Sequence, residues 1–349
     1  MSTRVLVTGA TGFVAGHCVA ELLAHGYAVR ATVRDTAAVD KVAHLRELAD
    51  RTGGELEFVA ADLDSDAGWD AAMTDCASVL HVASPFPSTP PKDEDELIRP
   101  AVDGTLRVLR AAAAATTVRR VVLTSSIAAV IAGHDRNDAT VRTEQDWSDL
   151  TTSPAYQKSK TMAERAAWDF VKSDQQLELV AINPGMVIGP VLRPSVNTSS
   201  EVVYRLLANK VPGSPRLGFA TVDVRDLAVA HRLALEIPGA AGNRYICAGE
   251  HIWMRDIARM LADEFNPRGY RVPTRAIPDQ LVWLLGRFDR TVRLSLYFLG
   301  RRELLSSAKA ELELGWTMRP TRDSIVDTAT SLIEHGLVPA HNAVATVSS

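Results

Sequence analysis

Cysteine is scarce in this chain, and so is concentrated charge of either sign. The 349 residues hold three cysteines, Cys18, Cys76 and Cys247, which are far apart and show no C-x-x-C spacing. Neither a disulfide framework nor a thiolate metal site is expected, and reduced thiols point to the cytoplasm. The formal net charge is only -4, with no dense run of Lys and Arg. Binding along a nucleic acid needs such clusters, so no nucleic-acid partner is expected. A long apolar run is missing too. The most membrane-like stretch, Leu281 to Leu299, contains Arg287, Asp289, Arg290 and Arg293, which argues against a transmembrane segment and for a surface or lid helix. The N-terminus enters a strand pattern directly, without the h-region and cleavage site of an export signal. No internal repeat or low-complexity segment is found.

Hydrophobic residues make up 46% and charged residues 23% of the sequence, the balance of a globular protein with one or two domains and a substantial core. A β-branched run, R-V-L-V-T at 4–8, leads into G-A-T-G-F-V-A-G at 9–16 and then a helical pattern. Strand, glycine turn and helix is the context of a phosphate-binding unit. Gly9 allows the sharp turn, and Gly12 allows the backbone to approach a pyrophosphate at the helix N-terminus. Ala15 stands where a third glycine is usual and is still small enough for close packing. The second strand, at 27–34, ends on Arg34. This is the place where an acid selects NAD through a ribose hydroxyl and an arginine selects NADP through a 2′-phosphate. Arg34, with Lys41 beyond it, favours NADP(H) over NAD(H). The adjacent Asp35 keeps the second choice open, as does a pairing of Arg34 with Asp35 or Asp62.

A third strand at 55–61 precedes Asp62 and Leu63, placed to meet an adenine. The fourth, A-S-V-L-H-V-A-S at 77–84, ends in small residues that let a dinucleotide lie close, and His81 within it reads as a core histidine. Pro85 to Pro91 makes a rigid loop with Phe86 as a candidate pocket wall. A helix over about 93–116 shows an apolar stripe of Leu97, Val102, Leu106 and Leu109. Its alanine-rich end suits either the sheet or a second subunit, so a homodimer is possible on this reading. The fifth strand, 119–126, ends in Ser125 and Ser126. In S-P-A-Y-Q-K-S-K-T-M-A-E at 153–164, a helix sets Tyr156 and Lys160 one turn apart on one face, a phenol beside an ammonium that can act as a proton donor. A sixth strand follows at 177–183, ending in Pro184 and Gly185. The pattern predicts an α/β fold, a Rossmann-type doubly wound parallel sheet with a smaller interleaved C-terminal substrate-binding region. The expected division is 1–185 with about 219–248 for the nucleotide, about 186–218 with 249–338 for the substrate, and a frayed tail over 339–349.

With T-G-A-T-G-F-V-A at 8–15, V-L-H-V-A-S-P at 79–85, T-S-S at 124–126, Y-Q-K-S-K-T-M-A-E at 156–164, N-P-G-M-V-I-G-P at 183–190 and V-D-V-R-D-L-A at 222–228 in this order, the chain resembles the extended short-chain dehydrogenase/reductase family. It is most similar to the branch of dihydroflavonol, cinnamoyl-CoA and microbial aldehyde and ketone reductases. The resemblance implies catalysis by Ser126, Tyr156 and Lys160, with Ser125 as an alternative serine. Tyr156 would protonate a carbonyl oxygen, Ser126 would hydrogen-bond it, and Lys160 would bind the nicotinamide ribose and lower the tyrosine's pKa. It also implies cofactor contacts from Thr11, Phe13 and Val14 beside the glycines, from Val82, Ala83, Ser84 and Thr124, and from Pro184, Gly185 and Val187. The implied activity is reversible NADPH-dependent reduction of a hydrophobic aldehyde or ketone. Ile131 stands where flavonoid reductases carry an asparagine, and with Phe86, Met186, Tyr204 and Phe219 it suggests an apolar pocket. The alternatives are a nucleotide-sugar epimerase or dehydratase with bound NAD, and a non-catalytic NADP sensor.

Overall fold

The structure is a computed structural model, and it describes residues 2–84, 93–135, 137–174, 176–198 and 200–339, with the backbone alone at 290, 291 and 294. Phe86 and the proline loop around it lie outside the described residues, as does the tail from 340. In chain order the elements are β1 (Arg4–Val7), α1 (Phe13–Ala24), β2 (Ala28–Val33), α2 (Ala43–Thr52), β3 (Leu56–Ala60), α3 (Trp69–Met73), β4 (Ser78–His81), α4 (Asp95–Ala114), β5 (Arg120–Thr124), α5 (Ala155–Ser173) and β6 (Glu178–Pro184). There follow β7 (Met186–Ile188), α6 (Glu201–Leu207), β8 (Gly218–Asp223), α7 (Val224–Glu236), β9 (Arg244–Cys247), β10 (His251–Trp253) and α8 (Met254–Phe265). Last come α9 (Asp279–Leu285), α10 (Arg290–Ser295), α11 (Ala308–Leu314) and α12 (Thr321–Glu334).

The chain divides into two compact units, one of residues 1–185, 224–248 and 305–317, the other of 186–223, 249–304 and 318–349. In the first, seven strands form a parallel sheet in the order β3-β2-β1-β4-β5-β6-β9. Its strands are apolar at nearly every position because helices cover both faces; Val5, Leu6, Val7, Val121, Val122, Val180 and Ile182 are all buried. One core joins β1, β4, β5 and β6 to α4 and α5 through Leu6, Val79, Val108, Leu109, Val121, Ala167 and Leu179. Elsewhere α1 packs on α7, and α7 on β5 and β6. Strand order reverses direction between β1 and β4, the switch point where such sheets open a crevice at their carboxyl ends.

Two details differ from the sequence pattern. The buried stripe of α4 runs through Leu97, Ile98, Ala101, Gly104, Thr105, Val108, Leu109 and Ala112, so Val102 and Leu106 fall at its border. Gly104 sets that rotation, since a Cβ there would meet Leu63 Cβ at 3.1 Å. Residues 219–223 belong to the second unit, because β8 pairs with β7 and β10 in a separate three-stranded sheet, whereas 305–317 joins the first unit through the packing of α11 on β9 and α7.

In the second unit α8 packs on α6 and α12. The outward residues Leu281, Leu284, Leu285 and Phe288 around α9 are exposed. No helix among the described residues is long and apolar enough to cross a membrane.

Candidate active site

The tips of β1 and β4 are tied by one hydroxyl. Thr8 Oγ1 accepts from the N–H groups of Val82 at 3.0 Å and Ala83 at 2.9 Å, and it lies 3.0 Å from His81 Nδ1. With both acceptor positions used, the Thr8 proton goes to His81, which leaves the hydrogen of that ring on Nε2. Burial pushes the His81 pKa down to about 3, so it is a neutral core histidine. Gly9 follows with φ +71°, and a Cβ there would lie 2.9 Å from Ala83 Cβ. Its N–H donates to Thr32 Oγ1 at 2.9 Å. Gly12 is the N-cap of α1, whose first turn carries no acidic side chain. The N–H groups of that turn around Phe13 and Val14 therefore meet the crevice as a positive helix end suited to phosphate. Ala15 is buried beside Gly16, as the close packing of α1 requires.

Beyond β2, Arg34 and Lys41 are exposed. The carboxylates that might have claimed Arg34 are occupied in their own turns, Asp35 by the Ala37 N–H at 2.8 Å and Asp62 by the Asp64 N–H at 3.1 Å. Arg34 makes no ion pair among the described residues, which fits a guanidinium held for a ribose phosphate. Asp62 and Leu63 follow the end of β3. All these residues occupy the carboxyl edge of one sheet, where a dinucleotide would be held.

β5 delivers two serines with different partners. Ser125 Oγ donates to Glu164 Oε2 at 2.5 Å and is buried, whereas Ser126 Oγ accepts from the Ala128 N–H at 3.1 Å and bonds the Tyr156 phenol. The Thr124 hydroxyl is committed to His231 Nε2 at 2.7 Å, the ring donating from Nδ1 to Leu227 O at 2.8 Å. On α5, Lys160 Nζ donates to Ser84 Oγ at 2.9 Å. Burial lowers the Lys160 pKa to about 8, against the opposing field of Glu164. Burial also raises the Tyr156 pKa, with the Ser126 hydrogen bond working the other way. The net direction is thus opposite to the lowering expected from Lys160.

Pro184 ends β6, and the Gly185 N–H donates to Cys247 O at 3.0 Å. Among the candidate pocket residues, Ile131 belongs to the first unit and is partly buried. Met186 and Phe219 lie on the adjacent strands β7 and β8 of the second unit, with Val187 buried beside Met186. Tyr204, on α6, accepts a hydrogen bond from Lys210, whose Nζ sits 4.5 Å from the ring centroid.

Sequence reasoning missed two buried charges next to this group. Glu164 and Arg244 form an ion pair at 2.5 Å with side chains 0% and 8% exposed. A signal for the first was present, since Tyr156, Lys160 and Glu164 recur at every fourth position and so share one helix face. Arg244 gave none, being 80 positions away from its partner.

A Rossmann-type sheet with a glycine cradle at its switch point and a Ser-Tyr-Lys group beside it defines a dinucleotide-binding protein of the short-chain dehydrogenase/reductase class. The family model described as NAD dependent epimerase/dehydratase family matches residues 5–248, and the chain belongs to that family, the extended short-chain dehydrogenases/reductases. It is 35% identical over 336 residues to a cinnamoyl-CoA reductase of Medicago truncatula, covering 95% of each chain. It is 33% identical over 355 residues to the ketoreductase azaE of Aspergillus niger, covering 96% of this chain and 98% of that one. Among solved structures, the yeast methylglyoxal/isovaleraldehyde reductase complexed with NADPH aligns with a TM-score of 0.77 at 28% identity, over 96% of this chain and 99% of that one.

Proposed function

We propose that the protein is an NADP(H)-dependent carbonyl reductase acting on a hydrophobic aldehyde or ketone. The observation that carries this reading is the contact of Ser126 with Tyr156, one helical turn from Lys160 and beside the Gly9–Ala83 cradle. A Cβ at Gly9 would fill that cradle, and Arg34 and Lys41 are exposed cations past β2, so the residues present fit NADP(H). Gly9, Gly12 and the first turn of α1 would hold its pyrophosphate, Arg34 and Lys41 its 2′-phosphate, and Asp62 and Leu63 its adenine. When bound, the cofactor supplies or takes up a hydride.

The chain's own part is the proton. A phenol held above its ordinary pKa is protonated at neutral pH and can donate to an oxygen as negative charge grows on it. Ser126 offers that oxygen a second hydrogen bond. Lys160 places an ammonium close by, which favours the phenolate left after donation. Ile131, partly buried in the first unit, supports an apolar substrate, and the reductases of cinnamoyl-CoA and isovaleraldehyde among the relatives accord with a carbonyl group.

The test is NADPH oxidation by the purified protein across a panel of aliphatic and aromatic aldehydes and ketones, with Tyr156→Phe beside the parent. The variant should lose about 10²- to 10⁴-fold in kcat, the usual worth of a positioned proton donor, while NADPH binding persists. Unchanged turnover in Tyr156→Phe would remove the tyrosine from this role. Cofactor that copurifies as NAD and never exchanges would favour an epimerase instead.

A further inference from the structure

One more turn along α5 from Lys160 lies a carboxylate that the proposed reaction does not use. Glu164 is 1% exposed. Its Oε1 accepts from Arg244 Nε at 2.5 Å and from Trp168 Nε1 at 3.2 Å. Its Oε2 accepts from Ser125 Oγ at 2.5 Å and Asn183 Nδ2 at 2.8 Å. Asn183 also donates to the carbonyl oxygen of Ser126 at 3.1 Å. One carboxylate is therefore bonded to the neighbour of Ser126 and, through a single amide, to Ser126 itself.

The cation facing it is fixed as firmly. Arg244, on β9, donates to the carbonyl oxygens of Glu144 at 2.7 Å and Asp146 at 2.8 Å, and its guanidinium carbon lies 3.8 Å from the ring centroid of Trp147. Burying such a pair is expensive, and well-packed apolar residues often hold a helix to a sheet equally well. Packing alone therefore does not account for a charge at this position. Lys160, one turn earlier on the same face of α5, is partly buried, and an anion on that face favours its charged form.

The geometry points to Glu164 as a positioning residue: clamped by Arg244, its carboxylate holds the Ser125–Ser126 turn against Tyr156 and lends an anion to the helix face that carries Lys160. This rests on the reading of Ser126, Tyr156 and Lys160 as the reacting group. Other groups around Lys160 do not take over the task. His81 on β4 is neutral at any pH above about 3, Ser84 is uncharged, and Lys158 is paired with Glu94, just before α4, at 2.7 Å. Around Glu164, the Glu144 carboxylate accepts from the Ile246 N–H at 3.0 Å, Asp146 is paired with Arg142 at 3.0 Å, and Arg165 lies over Trp147. Removing the Glu164 charge lowers the Lys160 pKa further, so the ammonium is lost at lower pH.

The test measures Lys160 directly. Trace labelling with an amine-reactive anhydride across pH, read on the Lys160 peptide by mass spectrometry, gives its titration without any need for turnover. Parent, Glu164→Gln, Arg244→Lys and the double variant Glu164→Gln/Arg244→Met are compared, with kcat and KM for carbonyl reduction followed over the same pH range. In Glu164→Gln the Lys160 titration should move down by about one pH unit, and the alkaline limb of kcat should move with it. The double variant leaves no buried charge unpaired and keeps the measurement available should Glu164→Gln unfold; with the Arg244 cation also gone, its shift should be in the same direction and smaller. Arg244→Lys keeps the charge and loses the fork, so its Tm should fall while the Lys160 titration stays in place. A Lys160 titration unchanged by loss of Glu164, or shifted equally by Arg244→Lys, overturns the inference. A shift in labelling with no carbonyl reduction by the parent would uphold the positioning role and refute the reductase reading.

Discussion

At the scale of single residues, charge at the end of β2 decides between cofactors. Arg34 stands exposed with its nearest carboxylates, Asp35 and Asp62, bonded within their own turns, so it can meet a phosphate without first breaking an ion pair. A hydrogen bond to a charged group contributes about 1.5–3 kcal/mol. Replacing Arg34 by Ala should therefore raise KM for NADPH by about 10- to 100-fold and leave KM for NADH nearly unchanged, as steady-state kinetics with both cofactors will show. An equal rise for both would take Arg34 out of the selection. The backbone demand at Gly9 was legible in the sequence because it is local. Gly9 is needed for a positive φ and a close approach to Ala83, and both follow from a glycine between a strand and a helix. Ser125 and Ser126 could not be told apart in that way. Their difference is set by Glu164 and Tyr156, partners that only the folded α5 brings to the end of β5.

Elements were legible where their period was long enough to count. The parallel strands declared themselves as apolar runs because both faces are covered, and α5 through its alternation of small, apolar and polar residues. The three-stranded sheet of the second unit was hidden, since β7 and β10 are three residues long, too short for any alternation. Its chemistry was hidden with it. Glu303 donates its N–H to His251 Nδ1 at 3.1 Å, and its Oε2 accepts from the Ala220 N–H of β8 at 2.6 Å. Burial raises the Glu303 pKa to about 7, the Ala220 hydrogen bond opposing it. The folded protein thus keeps a proton that the unfolded chain releases near the ordinary carboxylate value of about 4.3. Between those two values the folded state binds more protons, so stability falls as pH rises through that window. Each pKa unit corresponds to about 1.4 kcal/mol, which makes the full loss about 3–4 kcal/mol. His251, whose pKa burial lowers, acts in the opposite sense and loses stability as pH falls. The Glu303 contribution is therefore read as the difference between parent and Glu303→Gln in urea unfolding at pH 5 and pH 8. Glutamine should gain on the parent at the higher pH, and parallel curves at the two pH values would contradict the assignment.

At the scale of the whole molecule, the first unit is assembled from three separate stretches of chain, 1–185, 224–248 and 305–317. Sequence order suggests that the sheet is nearly complete at Gly185, because six of its seven strands and both catalytic candidates on α5 lie before that point. The contacts argue otherwise. Residues 224–248 supply α7, whose Leu227, Ala228, Ala230, His231 and Ala234 are buried and which packs on α1, β5 and β6. Arg120 donates to the carbonyl oxygens of Ala234, Leu235 and Ile237 at the end of that helix. The same stretch supplies β9, which pairs with β6, and Arg244, the only side-chain cation bonded to Glu164 among the described residues. A fragment ending at Gly185 would leave α1 uncovered, open the β6 edge and strand Glu164 without its partner. Losing one member of a buried ion pair costs about 3–5 kcal/mol, against a total stability of about 5–15 kcal/mol for a domain. The fragment 1–185 should therefore show no cooperative thermal transition by circular dichroism and no protection by added NADPH. A version that rejoins 185 to 224–248 and 305–317 through flexible Gly-Ser linkers, whose closure entropy grows only slowly with length, should recover a transition and bind NADPH. If the bare fragment melts cooperatively, α7 and β9 are accessories to the sheet, and the position of α5 depends on less than the Glu164–Arg244 clamp requires.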